Sequence, residues 1–300
     1  MGDGAPTGNE RVVLTADIGP VSPSPKEIHL CFLGCEDKPP YGPTHHTAQL
    51  FLLLFESAVL QEYPRDSYRI QISVYRCQLF DYPPEYSTFH GIVLPGSFSG
   101  AYEEHDWIER LKQEIATVIY PQSIPTLGIC FGHQVYAHAL EGGKATKCPA
   151  GPQAGCRTFD CTELGTRTFF RSDDDVSRNA SQIKLLYTHG DMVASLPWCG
   201  TSLGGNEHVP IQAAMYYNDS HDKSHEKQAV AVTFQAHPEY AGSSLGYEGT
   251  FIKTLHKMGD RGSVKDCEQA ELDASNHLST IQRQSVNVLI AAGRALGWFE

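Results

Sequence analysis

Cys130 lies in the run Thr126-Leu127-Gly128-Ile129-Cys130-Phe131-Gly132-His133-Gln134, where a short apolar stretch meets a cysteine flanked by glycines and then takes on helical spacing. A sharp strand-to-helix turn needs small neighbours so that backbone can pack closely, and it lifts the side chain between them above the sheet edge. The thiol then stands at a helix N-terminus, where the positive end of the dipole favours thiolate and hence nucleophilic attack. The N–H groups that follow are free to hold an anion. A structural cysteine between two packing glycines would carry the same local signature, so the rest of the chain decides.

About a hundred residues later the stretch Gln228–Gln235, with the alternating Ala229-Val230-Ala231-Val232-Thr233-Phe234, runs into Ala236, His237, Pro238 and Glu239. Residues two apart on extended backbone point the same way, so the imidazole and the carboxylate are expected on one side of the chain, with Pro238 fixing the angle between them. A carboxylate beside an imidazole sets its tautomer and stabilises the charged ring, as general acid and base work requires. Upstream, the strand Gly91–Leu94 ends in Pro95-Gly96-Ser97-Phe98-Ser99-Gly100. That turn can aim N–H groups at a developing oxyanion, although an ordinary strand-to-helix loop has the same composition.

Taken together these segments resemble the class I glutamine amidotransferase domain, and most closely the stand-alone group similar to the glutaminase half of GMP synthase. The family motif G-x-C-x-G-x-Q matches Gly128, Cys130, Gly132 and Gln134, and H-P-E matches His237, Pro238 and Glu239. Leu94-Pro95-Gly96-Ser97 falls where the family has its oxyanion glycine, and Ala139-Leu140-Glu141-Gly142-Gly143 ends the nucleophile helix. Thr188-His189-Gly190-Asp191, followed by Leu196-Pro197, matches the H-G-D segment. The likeness runs from about Ile28 to about Lys257. It implies Cys130 as nucleophile, His237 as acid and base and Glu239 as its orienter. It also implies Gly96, Ser97 and Phe131 as backbone oxyanion donors, and Gln134 and Gly128 at the substrate. Two departures stand out: Gly96-Ser97 where many members have Gly-Gly, and Glu141 within the usual Leu-Gly-Gly.

Cys130 and the Gly96 turn must sit at the carboxyl ends of parallel strands for this to work, and the first half of the chain has that pattern. Ile28–Leu33 is a continuous apolar run of the kind buried inside a parallel sheet. A helix over Thr44–Gln61 follows, then strands at Tyr68–Val74 and Gly91–Leu94 separated by a turn at Phe80–Pro84. A helix over Asp106–Tyr120 places Trp107, Ile108, Leu111, Ile115 and Val118 on one face. The expected fold is α/β, an open and mainly parallel twisted sheet with flanking helices, flavodoxin-like, plus a small antiparallel sheet. The second half offers shorter strands at Gly155–Thr162, Thr168–Phe170, Lys184–Tyr187, Ile211–Tyr217 and Ala229–Gln235. A polar loop over Asn218–Gln228, with His221 and His225, and the acidic Asp173-Asp174-Asp175 read as solvated rather than metal-binding. A charged segment from Asp260 to Asp273 precedes a closing helix over Leu278–Leu296. One domain is expected over residues 27–300. Residues 1–26, rich in Gly, Pro and Ser, read as a flexible leader in which Arg11–Leu14 offers a short strand.

Composition narrows the function. A net charge of −12 with no basic cluster argues against nucleic acid. Nine cysteines without paired C-x-x-C spacing read as reduced thiols in a reducing compartment, the cytoplasm, with no metal site expected. No stretch approaches a membrane span or a secretory signal. No cofactor is implied. Without a Gly-rich phosphate loop the chain cannot itself activate an acceptor for ammonia. It therefore supplies ammonia from glutamine to a separate synthetase, or is a self-sufficient γ-glutamyl peptidase acting on glutathione-type conjugates. A non-catalytic module of the same fold is the third reading, disfavoured by the presence of all three reactive groups.

Overall fold

The apolar run at Ile28–Leu33 becomes a strand buried on both faces, and the sheet is built outward from it. In the computed structural model, which describes residues 11–170, 181–218 and 228–300, the elements follow in this order. Strands β1 (Val13–Ile18) and β2 (Lys26–Gly34) lead to helix α1 (Thr44–Glu62), then β3 (Tyr68–Arg76), β4 (Gly91–Leu94), α2 (Asp106–Glu114), β5 (Thr126–Ile129) and α3 (Phe131–Ala139). β6 (Lys144–Lys147), β7 (Gln153–Cys161), α4 (Glu163–Phe169), β8 (Gln182–His189), β9 (Asp191–Ser195), β10 (Gly200–Gly205), β11 (Ala213–Tyr216) and β12 (Ala231–Phe234) come next. The chain closes with α5 (Ser244–Gly246), α6 (Lys253–Asp260), α7 (Cys267–Asn276) and α8 (Leu278–Ala295).

β3, β2, β4, β5 and β12 form the parallel centre of a ten-stranded sheet of order β1-β3-β2-β4-β5-β12-β11-β10-β7-β8. The alternation along β2 explains the layering. Leu30 and Phe32 face a core shared with Phe51 and Phe55 of α1 and Leu289 of α8, while Cys31 and Leu33 face one shared with Leu111 of α2 and Val135 of α3. Each such side chain contributes about 1.5–3 kcal/mol on burial, enough to fix the register of both faces.

Several expectations are corrected. β1 lies inside the stretch read as a leader: it pairs antiparallel with β3, and Arg11 donates to Asp81 at 3.1 and 3.2 Å. Thr168–Phe170, read as a strand, is the end of α4, a helix opened by Thr162, whose hydroxyl accepts from the Gly165 N–H. The helix expected over Asp106–Tyr120 changes to a π-helical turn at Ile115–Ile119. β6, β9 and β10 had no clear pattern. β6 and β9 make the small antiparallel sheet, and β7, β8, β10 and β11 extend the large one. The charged segment resolves into the end of α6 and the start of α7, the latter capped by Asp266. Asp173–Asp175 and His221 and His225 lie outside the described residues.

Candidate active site

β5 delivers Cys130 directly to the start of α3. Its backbone is at φ 53°, ψ −104°, left-handed for a residue with a side chain, and costs on the order of 1–3 kcal/mol to hold. Two contacts hold it. The Cys130 N–H donates to the Phe234 carbonyl at 2.8 Å, and the Gly132 N–H donates to the Pro95 carbonyl at 3.1 Å. A Cβ on Gly132 would lie 2.0 Å from the Leu94 carbonyl oxygen, so only glycine lets α3 start against the end of β4. Gly128 lies within β5, where its missing Cβ faces Thr233 and the Gly132 carbonyl. It packs strand on helix and does not line the pocket.

His237 and Glu239 follow β12, and His237 Nδ1 donates to Glu239 Oε1 at 2.7 Å. They meet through a 3-10 turn, Pro238–Tyr240, rather than along the extended backbone expected, because Pro238 supplies the φ that opens a helical turn. Both are sealed off, at 0% and 1% exposure. The His237 N–H donates to the Leu186 carbonyl in β8, and the Tyr240 ring stacks on the imidazole at 4.2 Å and 6°. Burial alone would push the imidazole down, but the charges of Glu239 and of Cys130 outweigh it and raise its pKa to about 10. Glu239 and Cys130 thus favour the charged form of the ring.

The Gly96 turn completes the group. A Cβ at Gly96 would lie 3.0 Å from His237 Cε1 and 3.7 Å from Cys130 Cβ, so the turn, the imidazole and the thiol share one corner. Glu36, just past β2, organises that turn: its Oε2 accepts from the Phe98 N–H at 3.3 Å and from the Ser97 hydroxyl at 3.5 Å. Among the described residues the Gly96, Ser97 and Phe131 N–H groups donate to no protein acceptor, whereas those of Phe98 and Gly132 are occupied. Sequence reasoning missed Glu36, although a carboxylate at the carboxyl end of a central parallel strand was a usable signal.

A pocket of about 170 Å³ opens over this corner. Cys130, 4% exposed, lies in its wall with Ser97 and Gln134, while His237 and Glu239 lie behind it. Gln134 Nε2 donates to the Asp191 carbonyl at 3.0 Å and to Gln235 Oε1 at 3.1 Å, which ties α3 to the H-G-D segment. His189 also lines the pocket, and burial drives its pKa down to about 3, so the ring is neutral. Among the described residues no cluster of His, Cys, Asp and Glu is arranged to hold a metal ion, and no helix is long and apolar enough to cross a membrane.

The sequence model of class-I glutamine amidotransferases matches residues 65–256. The chain belongs to that family. Gamma-glutamyl peptidase 5 of Arabidopsis thaliana is 26% identical over 152 residues, 51% of this chain and 54% of that protein. The glutamine-hydrolyzing GMP synthase of Azoarcus sp. (strain BH72) is 31% identical over 184 residues, 59% of this chain and 31% of the synthase. The chain thus spans about half of the first relative and a third of the second. The crystal structure of a glutamine amidotransferase from Thermotoga maritima superposes with a TM-score of 0.59 at 17% identity, covering 90% of this chain and 98% of that one, a likeness of fold.

The amidotransferase match takes in Cys130, His237, Glu239 and the Gly96 turn, but not the whole pocket. Tyr41 precedes it, and Lys257, Met258, Arg261 and Ser263 follow it. Tyr41 hydrogen-bonds Thr188 at 3.1 Å and lies 4.6 Å from the Phe98 ring, so one wall of the cavity belongs to parts of this chain outside the matched segment. None of these residues stood in a motif. Only their position in the fold brings them to the site.

Proposed function

We propose that the protein hydrolyses γ-glutamyl amides through a thioester on Cys130, with His237 as general acid and base and Glu239 orienting the ring. The observation that carries this reading is the buried 2.7 Å His237–Glu239 pair set against the Gly96 turn beside a strained Cys130. The thiolate attacks the side-chain carbonyl carbon of the glutamyl group, forming the C–S bond and a tetrahedral oxyanion. The unoccupied N–H groups of Gly96, Ser97 and Phe131 are the donors available to that oxyanion. The imidazolium gives its proton to the departing nitrogen, the C–N bond breaks, and the neutral ring then takes a proton from water. Hydroxide adds to the thioester, the C–S bond breaks, and glutamate leaves with the thiolate restored.

Cys130→Ala removes the nucleophile, so hydrolysis of glutamine and of γ-glutamyl peptides should fall to the uncatalysed rate in a folded protein. An unchanged rate would overturn the assignment. Labelling of wild-type Cys130 by an electrophilic glutamine analogue separates this reading from a non-catalytic module of the same fold.

For the substrate, we favour a self-sufficient γ-glutamyl peptidase over a glutaminase that hands ammonia to a separate synthetase. The cationic wall of the pocket supports it, as does the similarity to a gamma-glutamyl peptidase. Turnover of glutamine, glutathione and a glutathione S-conjugate tells them apart: dominant glutamine turnover, raised by a synthetase, would reverse the preference. Nine cysteines that form no disulfide suit a reducing compartment, and the proposed location is the cytoplasm.

A further inference from the structure

The wall that α6 supplies to the pocket is positively charged in a chain of net charge −12. Thr254, Lys257, Met258 and Arg261 are spaced i, i+3, i+4 and i+7, so one face of the helix and its first residue beyond is turned to the cavity. Lys257 is tethered across the mouth: its Nζ donates to the Pro39 carbonyl at 2.9 Å and lies 4.7 Å from the centre of the Phe98 ring. Arg261, one turn further on, is exposed and has no hydrogen-bond or ion-pair partner among the described residues. A guanidinium left unpaired at the rim of a pocket is a ready site for a carboxylate, which its planar fork matches through two parallel N–H bonds.

Apart from the reacting Cys130, whose charge is matched by the His237 imidazole behind it, the charged side chains lining the cavity are Lys257, Arg261 and Asp191, two cations and one carboxylate. Asp191 is already anchored, since its Oδ1 accepts from the Tyr102 hydroxyl at 2.9 Å. A γ-glutamyl peptide with a free C-terminus carries the complement: two carboxylates and one ammonium. Glutamine carries one of each and leaves one cation of the wall unanswered. We propose that Arg261 recognises a carboxylate on the leaving-group side of the substrate, with Lys257 holding the lip beside it. The pocket then selects γ-glutamyl peptides with a free C-terminal carboxylate. This inference rests on the hydrolytic reading above and adds the residue that sets its specificity.

Calorimetry on the Cys130→Ala protein, which prevents turnover, should show γ-glutamylglycine binding about tenfold tighter than γ-glutamylglycinamide, as a charge-assisted hydrogen bond predicts. Adding Arg261→Ala should bring that ratio to within about twofold of one, and Arg261→Lys should restore part of it as a point charge without the fork. In wild-type kinetics the same preference should lie in KM rather than kcat. Equal affinity for acid and amide in the Arg261 parent, a ratio that survives Arg261→Ala, or no binding of either ligand would each overturn the proposal. Active-site labelling of wild-type Cys130 reports on the hydrolytic reading separately. Labelling without an acid-over-amide preference removes only the role of Arg261, whereas no labelling and no turnover remove both.

Discussion

Gly96→Ala is the most direct probe of the corner where the turn, the imidazole and the thiol meet. Gly96 has no left-handed backbone requirement, so the substitution isolates one steric effect. The new methyl would stand 3.0 Å from His237 Cε1, where ordinary contact begins at 3.4 Å, so the ring or the turn must yield by a few tenths of an ångström. The ring has little room: Glu239 holds it at 2.7 Å on one edge, and Tyr240 stacks against one face at 4.2 Å. The displacement therefore falls on the distance between the imidazole and the sulfur or on the aim of the oxyanion donors. A misplacement of about 1 Å costs on the order of 10² in kcat, about 2.7 kcal/mol of barrier, so a shift of a few tenths should cost roughly five- to tenfold. Overpacking should lower stability by about 1–3 kcal/mol, leaving the protein folded. The assay is kcat and KM on a γ-glutamyl amide beside a urea melt, with Gly249→Ala as control, since its Cβ would meet only Leu245 at 3.5 Å. If Gly96→Ala kept kcat to within about threefold of wild type, the claim that the turn packs against the reacting groups would be refuted.

Glu239→Gln keeps an acceptor oxygen but removes its charge, so burial acts on His237 with only Cys130 opposing it. The ring should titrate well below the wild-type value of about 10, followed by histidine NMR, and kcat should fall about 10²-fold or more. An unmoved titration would show that Glu239 does not set the charge of the ring. Because His237 is raised on folding from an ordinary 6.5, its contribution to stability is fully present below pH 6.5 and is lost as the pH climbs through about 10. Glu239→Gln should flatten that alkaline loss in melts taken between pH 6 and pH 10. His133 has the opposite sign: burial lowers it to about 4, while its Nδ1 and Nε2 hydrogen-bond Thr233 at 2.7 Å and Ile211 at 3.2 Å. Stability should therefore fall as the pH drops from 6.5 to 4, and His133→Gln should remove about 1.4 kcal/mol per pH unit of that slope. An unchanged slope would mean that His133 is not held neutral on folding.

The residues at the reacting corner were legible because their signals are local. Glycines two residues either side of Cys130 mark the strand-to-helix turn, an apolar run ending in Pro95 marks the end of β4, and His237-Pro238-Glu239 needs only one tight turn to bring imidazole and carboxylate together. Away from those motifs less was legible, for a physical reason common to each case. Charges at Lys257 and Arg261 on a short helix look like any solvated face until the fold turns that face toward the cavity. Thr168-Phe169-Phe170 has strand-like residues, yet Thr162 starts a helix before them and Phe169 packs 5.8 Å from Phe234. β1 was legible only as a short strand at Arg11–Leu14 in a Gly- and Pro-rich neighbourhood, and pairing with β3 extends it to Ile18.

The same non-local contacts support the chemistry. β8 lies at the far edge of the sheet, and its Leu186 carbonyl fixes the backbone of His237 while its Thr188 hydroxyl meets Tyr41. β8 thus fixes the backbone of His237, while Tyr41, in the loop after β2, lies 6.0 Å from its ring. The nucleophile's turn is pinned by the neighbouring central strands, through the Phe234 and Pro95 carbonyls, whereas the base also depends on β8 at the far edge of the sheet. Substitutions in β8 should therefore impair the step that needs His237 while leaving the Cys130 turn itself in place.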